Sequence, residues 1–451
     1  MESKSIIDFL SFKAPTAKQL EVLRAMERFI AEEDEDDFMI LCGSAGTGKT
    51  SLTAALVGLM NNEKRDYRVA APTGRAARIL GRKANITAST IHSLIYIPKS
   101  DPKTGQVVFK LKQGINRNPT VYIIDEASMI PKTLDKSDSL FVAERGLIFD
   151  LIDFIKKANN KNKIIFLGDK YQLPPIGEKE SFALNKIFLE STFNLKGSEF
   201  YLTEVKRQEN GSYILENANQ LLDAIDLGAI THPISGKQSA NIHEAVDHFV
   251  AGMTSNGLEH AIAIAVSHRA NMYFNKLVRD RKFGEAHAIL EPGELLMVNQ
   301  NWSRKGKNLF NGDQVELLQV DLESIDEVAG FHFAPVRVKL LFSQEEIVVD
   351  DYALLETIIA LGGKIDSSKE NELRRQRYIA NKIFQETNMP ADDRYVGALR
   401  LVYGYSITCN KAQGGEWPKI FINTLGIPSL RWQYTAITRG IDEIESFGIK
   451  E

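Results

Sequence analysis

Residues 38–50 read FMILCGSAGTGKT, an apolar run that stops at a glycine-rich octapeptide. A short apolar run bounded by glycine reads as a buried strand, and residues 50–60 behind it read as a helix. A strand that must become a helix within a few residues leaves the backbone between them only a tight loop. Glycine tolerates the angles such a loop needs, so its N–H groups can turn inward on an anion. The N-terminus of the next helix adds a favourable dipole. Gly43-x-x-x-x-Gly48-Lys49-Thr50 is the full phosphate-loop pattern in its proper strand–helix setting. Gly43, Ser44, Ala45, Gly46, Thr47, Gly48, Lys49, Thr50 and Ser51 are the expected nucleotide cradle. Lys49 is placed to reach the β and γ phosphates, and Thr50 to ligate Mg2+.

The same alternation recurs downstream. YRVAAPTG, TVYIIDEAS and NKIIFLGDKYQLPP are three more apolar runs with polar residues at their C-terminal ends. Strand–loop–helix repetition of this kind predicts an α/β fold with a mainly parallel sheet covered by helices on both faces. A second set appears in HAIAIAVSHRANMYFNKLVR, ALRLVYGYSITCNKAQG and KIFINTLG. Two interruptions break the pattern. Residues 96–118 carry turn residues and then QVVFKLK, which reads as an inserted β-hairpin. Residues 288–397 hold short β-type runs followed by a charged, helical stretch over 351–385, which reads as a small β-barrel-like insertion.

The chain has 451 residues, enough for about three domains. No apolar run reaches membrane-spanning length and the first residues lack a basic, apolar leader, so no membrane is expected and the cytoplasm is the expected compartment. Two distant cysteines, Cys42 and Cys409, fit a reducing compartment and exclude a disulfide scaffold or a cysteine-based zinc cluster. The net charge of −4 gives no global sign of nucleic-acid binding, although basic residues gather locally, as at Arg75, Arg78, Arg82 and Lys83.

Asp125-Glu126 ends the third run. An aspartate there can hold Mg2+, and the adjacent glutamate can polarise an attacking water, which makes the chain a candidate nucleoside triphosphatase. Asn410-Lys411-Ala412-Gln413 lacks the final carboxylate that would read guanine. A small-molecule kinase would rarely need a second α/β domain of this size.

APTGRAA, STIHSL, DEAS, GDKYQLPPI, LTEVKRQ, ITCNKAQGGEW and YTAITRG follow the phosphate loop in that order. Together they resemble the superfamily-1 DNA helicases, specifically the 5′→3′ RecD-like branch and within it the bacteriophage Dda type. The resemblance implies two RecA-like domains, at 1–200 and at 201–287 with 398–451, and makes 288–397 an SH3-like β-barrel insertion. It implies ATP and Mg2+ as cofactors, with ATP held between the two domains, and single-stranded and forked DNA as partners. Replication or repair proteins are further expected partners, and the chain is expected to act as a monomer. Gln19 would read adenine, Gln172 would couple the γ phosphate to DNA, Arg207 and Arg439 would contact the transferring phosphoryl group, and Gly414 and Glu416 would lie against the nucleotide. Thr73, His92, Thr408 and Lys411 would touch the strand, where hydroxyl and N–H groups position phosphates without reading sequence. Asn410 stands where relatives often carry histidine. In the hairpin, Phe109 beside Val107, Val108 and Leu111 would form a duplex-splitting pin, flanked by Lys110 and Lys112. The expected activity is ATP-dependent 5′→3′ unwinding. A translocase that strips proteins without separating strands would share every motor residue, and a non-enzymatic DNA-binding subunit is disfavoured by the intact Lys49, Thr50, Asp125, Glu126 and Arg439.

Overall fold

The computed structural model describes residues 4–448 except 13, 32, 45, 101–106, 115, 117, 135–140, 143–144, 205–212 and 344. The side chains of 98–100, 107–109 and 141–142 also fall outside the description. The chain falls into two units, Met1–Pro98 with Phe109–Asp138 and Val142–Asn210, and Lys99–Val108 with Ser139–Phe141 and Gly211–Glu451.

The first unit is built on β1 (Phe38–Gly43), β2 (Asp66–Ala71), β3 (Ala88–Thr90), β6 (Thr120–Ile124), β8 (Lys163–Gly168) and β9 (Gly197–Leu202). They form one six-stranded sheet in the order β3-β2-β6-β8-β1-β9. Every pairing in it is parallel. The hairpin strands β4 (Tyr96–Ser100) and β5 (Val107–Leu111) join β7 (Phe141–Val142) in a separate three-stranded sheet. Successive side chains of a strand point to opposite faces, and β1 uses both faces. Met39 and Leu41 pack with Val22, Leu23, Met26 and Phe29 of α1 (Ala17–Phe29) and with Leu52, Leu56 and Met60 of α2 (Lys49–Asn62). Phe38, Ile40 and Cys42 join the opposite core, with Ile91 and Ile95 of α4 (Ile91–Ile95) and Ile148, Leu151 and Ile155 of α5 (Leu147–Ala158). Burial on both faces explains why the run FMILC is continuous rather than alternating. Helices α3 (Gly74–Ala84) and α6 (Lys186–Phe193) complete the unit.

The second unit opens with α7 (Tyr213–Asp226). Its parallel sheet comprises β10 (Lys237–Gln238), β11 (Ala261–Ala265), β20 (Ser406–Thr408), β21 (Trp417–Asn423) and β22 (Gly440–Phe447), ordered β10-β22-β21-β11-β20. One face is covered by α8 (Ile242–Asn256) and α9 (His268–Phe283), whose Phe249 and Phe274 meet edge to face at 5.3 Å. Helices α13 (Cys409–Ala412) and α14 (Leu430–Ile437) follow β20 and β21.

Between α9 and β20 lies an antiparallel sheet of β12 (Leu295–Val298), β15 (Gln314–Val320), β16 (Asp326–Val328), β17 (Phe331–Leu340), β18 (Val348–Leu354) and β19 (Leu401–Tyr403). A short hairpin, β13 (Trp302–Arg304) and β14 (Lys307–Leu309), sits beside it. The sheet closes on itself. β18 pairs with β17, and Leu399, just before β19, exchanges backbone bonds with Tyr352 (2.8 Å) and Leu354 (3.0 Å). Three helices follow β18: α10 (Leu355–Ile359), α11 (Ser367–Ala380) and α12 (Lys382–Thr387). The expected helical stretch from 351 therefore starts late, because Asp351–Leu354 continues the strand. Asp351 is half-buried and accepts from Trp302 Nε1 (2.7 Å) and Arg304 Nη1 (2.6 Å).

Candidate functional site

In a parallel sheet, ligands collect beyond the C-terminal ends of the strands. β1, β6 and β8 are consecutive or next-but-one neighbours, so they deliver the phosphate loop, Asp125-Glu126 and the Gln172 turn to one edge of the first unit. The loop's glycines are demanded by its shape. Gly46 and Gly48 have φ of +80° and +94°. A Cβ on Gly48 would lie 2.9 Å from Gln19 Nε2, and one on Gly43 would lie 2.6 Å from Thr47 Oγ1. Thr47 is buried and donates from Oγ1 to the Ser44 carbonyl at 2.8 Å. Lys49 arches back over the loop, and its Nζ donates to the carbonyls of Gly43 (2.5 Å) and Ser44 (3.1 Å). Thr50 and Ser51 lie half-buried in the first turn of α2. Ala45 lies outside the described residues.

Gln19 braces this loop from below. Its Oε1 accepts from Thr16 N (3.0 Å) in a capping box at the start of α1, and its Nε2 donates to the Thr47 carbonyl (2.9 Å). An amide keeps a second N–H and a second lone pair beyond these bonds. Asp125 Oδ1 accepts from Glu126 N at 2.9 Å, and Glu126 adopts φ of +49°. Gln172 is buried, and its Oε1 has no hydrogen-bond partner among the described residues. An unsatisfied buried carbonyl costs stability. Asp169, missed by sequence reasoning, sets this turn. It is buried, Oδ1 accepts from Tyr171 N (3.0 Å), and its carbonyl accepts from Gln172 N (3.3 Å). Its signal was local, an aspartate two residues before the N–H it caps. Cys42, one residue before the loop, is pushed up to about 12, mainly by burial and then by Glu199 and Asp169.

Thr73 caps α3, its Oγ1 accepting from Ala76 N at 3.2 Å. His92 is exposed in α4 with its ring 5.7 Å from that of Tyr96. Phe109 falls in β5, but its side chain lies outside the described residues, as does Arg207 entirely. Lys112 Nζ donates to the carbonyls of Ser93 (2.5 Å) and Leu94 (3.3 Å), which ties the hairpin base to α4.

The second unit holds the remaining candidates at both ends of its own parallel sheet: Thr408 closes β20, whereas Gly414 and Glu416 precede β21 and Arg439 precedes β22. Thr408 is the residue before α13 and makes no side-chain cap bond. Lys411 Nζ donates to Asn299 Oδ1 at 2.5 Å, and burial pushes its ammonium down to about 8. Gly414 takes φ of +72° in a buried turn, with Glu416 half-buried behind it. Arg439 is buried. It donates from Nε to the Thr435 carbonyl (3.0 Å), from Nη1 to the Gly415 carbonyl (3.3 Å) and from Nη2 to Thr438 Oγ1 (3.0 Å). Three of its five N–H groups are thus spent holding the end of α14 to the Gly414-Gly415 turn. Asn299, His268 and the Gly362-Gly363 loop, which meet Lys411, carried no signal in the sequence because each comes from a different element.

The chain matches the AAA domain family over residues 16–230 and the UvrD-like helicase C-terminal domain over residues 403–442. It is 32% identical over 184 residues to the ATP-dependent DNA helicase dda of Enterobacteria phage T4, covering 39% of this chain and 36% of that one. It is 30% identical over 145 residues to the ATP-dependent RecD2 DNA helicase of Deinococcus radiodurans, covering 31% and 16%. The chain thus spans well under half the length of these curated relatives. In fold it is similar to the Pif1 helicase from Bacteroides solved with ADP-AlF3 and ssDNA, at a TM-score of 0.53 and 15% identity over 96% of this chain and 92% of that one. The Pif1 helicase from Candida albicans gives a TM-score of 0.52 at 15% identity, covering 97% and 94%. Among the described residues no helix is long and apolar enough to cross a membrane. The ordered motifs and these comparisons agree: the chain carries an AAA domain and a UvrD-like helicase C-terminal domain, is similar in sequence to helicases of the RecD2 and Dda type, and shares its fold with Pif1 helicases.

Proposed function

We propose that the chain is an ATP-dependent DNA helicase that translocates 5′→3′ on single-stranded DNA and separates forked duplex. The observation that carries this reading is the braced phosphate loop, with Lys49, Asp125 and the unpartnered Gln172 along one sheet edge. Lys49 would hold the β and γ phosphates. Thr50 and Asp125 would hold Mg2+, which would supply positive charge against the phosphates during phosphoryl transfer. Glu126 would polarise the attacking water, and the Gln172 carbonyl would accept a hydrogen bond from that water or its donor. Arg207 and Arg439 would stabilise the charge that builds on the phosphoryl oxygens. Gln19 would meet adenine through its remaining N–H and lone pair, and Glu416 and Gly414 would meet the sugar side. Thr73, His92, Thr408 and Lys411 would bear on the strand.

In this reading 1–200 is the first RecA-like domain, 201–287 with 398–451 the second, 288–397 an SH3-like insertion, and 96–118 the duplex-splitting pin, which carries Phe109. The protein would work as a cytoplasmic monomer. The curated relatives named above are ATP-dependent DNA helicases, and they support the activity. Unwinding of matched 5′-tailed and 3′-tailed duplexes with Mg-ATP tests it. Separation of the 5′-tailed substrate alone is expected. Separation of the 3′-tailed one alone overturns the polarity. DNA-stimulated ATP hydrolysis with neither duplex opened, but with streptavidin displaced from a strand, would make the chain a translocase instead.

A further inference from the structure

A two-stranded hairpin is marginal on its own, so whatever stiffens one must act at its roots. The three strands of the small sheet, β4, β5 and β7, are each fastened beside their roots, and every fastening lies within the first unit. β4 grows directly out of α4 and begins at Tyr96. The Tyr96 ring is buried, and its hydroxyl donates to Asp150 Oδ2 at 2.6 Å. Lys112, the residue after β5, donates from its backbone N to the Ile95 carbonyl (2.7 Å) and from Nζ to the Ser93 carbonyl (2.5 Å). Arg145 follows β7. Its Nε and Nη2 donate to Asp150 Oδ1 (3.1 and 2.8 Å), and Nη2 also reaches Asp153 Oδ2 (2.7 Å).

Two of the three roots therefore meet on one carboxylate, one on each oxygen. Asp150 is buried in the first turn of α5, where the helix dipole favours a negative charge. A buried carboxylate is costly unless its lone pairs are filled, and an apolar residue in such a place is often as stable. What the charge adds is direction, since charge-assisted hydrogen bonds fix the geometry of their partners. The support beneath it is firm. Ile148, Leu151 and Ile155 of α5 are buried in the core under β1. A Cβ on Gly146, the residue before α5, would lie 1.8 Å from the Lys132 carbonyl oxygen, so the helix starts hard against that segment. The two arms differ. The Arg145 side chain is half-exposed and its pair is screened by water, whereas the Tyr96 arm is dry. Burial, and then the bond to Asp150, push the Tyr96 phenol well above the ordinary tyrosine range, so it remains a donor.

We propose that Asp150 is a positioning residue for strand separation: through Tyr96 and Arg145 it holds the roots of β4 and β7 in one orientation, so that the hairpin meets the fork as a fixed obstacle. The proposal rests on the reading of 96–118 as the duplex-splitting pin. It goes beyond that reading by placing the determinant of stiffness outside the hairpin, on α5. Asp150 has no assigned contact with nucleotide or strand. Its loss should lower the number of base pairs opened per ATP and leave the motor itself alone.

The test uses the full chain and compares opening of 5′-tailed forks, rich in G·C or in A·T, with ATP hydrolysis on oligothymidylate and with thermal unfolding. Tyr96→Phe removes one oxygen and keeps the ring that packs 5.7 Å from His92. Its opening of the G·C-rich fork should fall about tenfold, the order that one lost charge-assisted hydrogen bond allows. The A·T-rich fork should suffer less, because pairs that open readily push back less. ATP hydrolysis on oligothymidylate should stay at the wild-type rate. Asp150→Asn should resemble Tyr96→Phe, and Arg145→Lys should be milder than Arg145→Met. In a tweezers assay, force that pulls the fork open should restore Tyr96→Phe to the wild-type rate. Equal loss on both forks, with ATP hydrolysis and melting temperature falling in step, would make the network merely structural and overturn the proposal. Should Asp150→Asn not fold, Tyr96→Phe decides alone. Excision of 99–108, closed by a glycine pair, separates the two readings. If the excised chain still opens forks, the pin reading itself fails. If excision abolishes opening while Tyr96→Phe matches wild type on both forks, only the Asp150 anchor fails.

Discussion

Lys49 and Lys411 occupy comparable places, each just inside the helix that follows a strand of a parallel sheet. Their surroundings differ in kind. Lys49 sits in a loop made from one octapeptide, and its ammonium is satisfied by two carbonyls of that same loop. Lys411 sits in a pocket made from α9, the residue after β12, the loop after α10 and the β20–α13 turn, with one amide for support. The first site is local and self-contained. The second exists only when distant segments are brought together, and it withholds from its lysine the partner that stability alone would demand. Hydrogen bonding therefore satisfies the first lysine within its own loop and leaves the second with a single neutral partner among the described residues.

The largest expected effect belongs to the local site. Lys49→Ala should cut DNA-stimulated ATP hydrolysis by about 10²–10³ or more, with little change in melting temperature, as steady-state phosphate release and thermal unfolding will show. A near-normal rate would break the comparison at its first term. Arg439→Ala comes next. On the proposed reading, in which the guanidinium acts on charge that develops in the transition state, turnover should fall by about 10³ while ATP affinity stays within a few-fold. Unlike Lys49→Ala it should also lower the melting temperature, since three hydrogen bonds to Thr435, Thr438 and Gly415 go with it. Equal loss of affinity and turnover would make it a ground-state anchor.

A pair of glycines sharpens the contrast between braced and open turns. Gly48→Ala meets both a left-handed backbone and the Gln19 amide, whereas a Cβ added to Gly312, at φ of +90°, would meet nothing within 4 Å. Denaturant unfolding should show a cost of about 1–3 kcal/mol at Gly48 and a smaller one at Gly312→Ala. Equal costs would mean that Gln19 does not brace the loop. The smallest effect is a thiol measurement. With its thiol pushed up to about 12, Cys42 should resist an aromatic disulfide reagent at pH 8 until the chain is denatured, and Cys409, raised further by complete burial, should do the same. Rapid labelling of the native protein would show that the strand carrying the phosphate loop opens on its own.

Most of the parallel sheets was legible because runs such as FMILC and TVYII are buried on both faces and bounded by glycine or acid. The phosphate loop was legible for a related reason: its chemistry and its geometry are written in the same eight residues. Gln19 was singled out for its place before the loop, yet Thr16-x-x-Gln19 is also a capping-box spacing, and the bond to Thr47 only the fold reveals. The helical stretch was placed too early, at 351, because a charged residue paired on a strand, as Asp351 is with Arg304, and one on a helix face are the same letter. Asn299 and His268 were invisible, since nothing near either residue announces that Lys411 will arrive beside it.

One seam in the second unit has a consequence for exchange between relatives. Only Gly404 and Tyr405 separate the last strand of the inserted antiparallel sheet from β20 of the parallel sheet. Gly404 N bonds the Leu295 carbonyl (2.9 Å), the Gly404 carbonyl accepts from Gln314 Nε2 (3.2 Å), and Gln314 Oε1 accepts from Trp417 Nε1 of β21 (2.9 Å). An insertion joined this way is no interchangeable cassette. A chimera that swaps the antiparallel insertion at its chain boundaries would have to carry Gln314 and Trp417 as a matched set, and so recombination should preserve the insertion and its host sheet as a single heritable block.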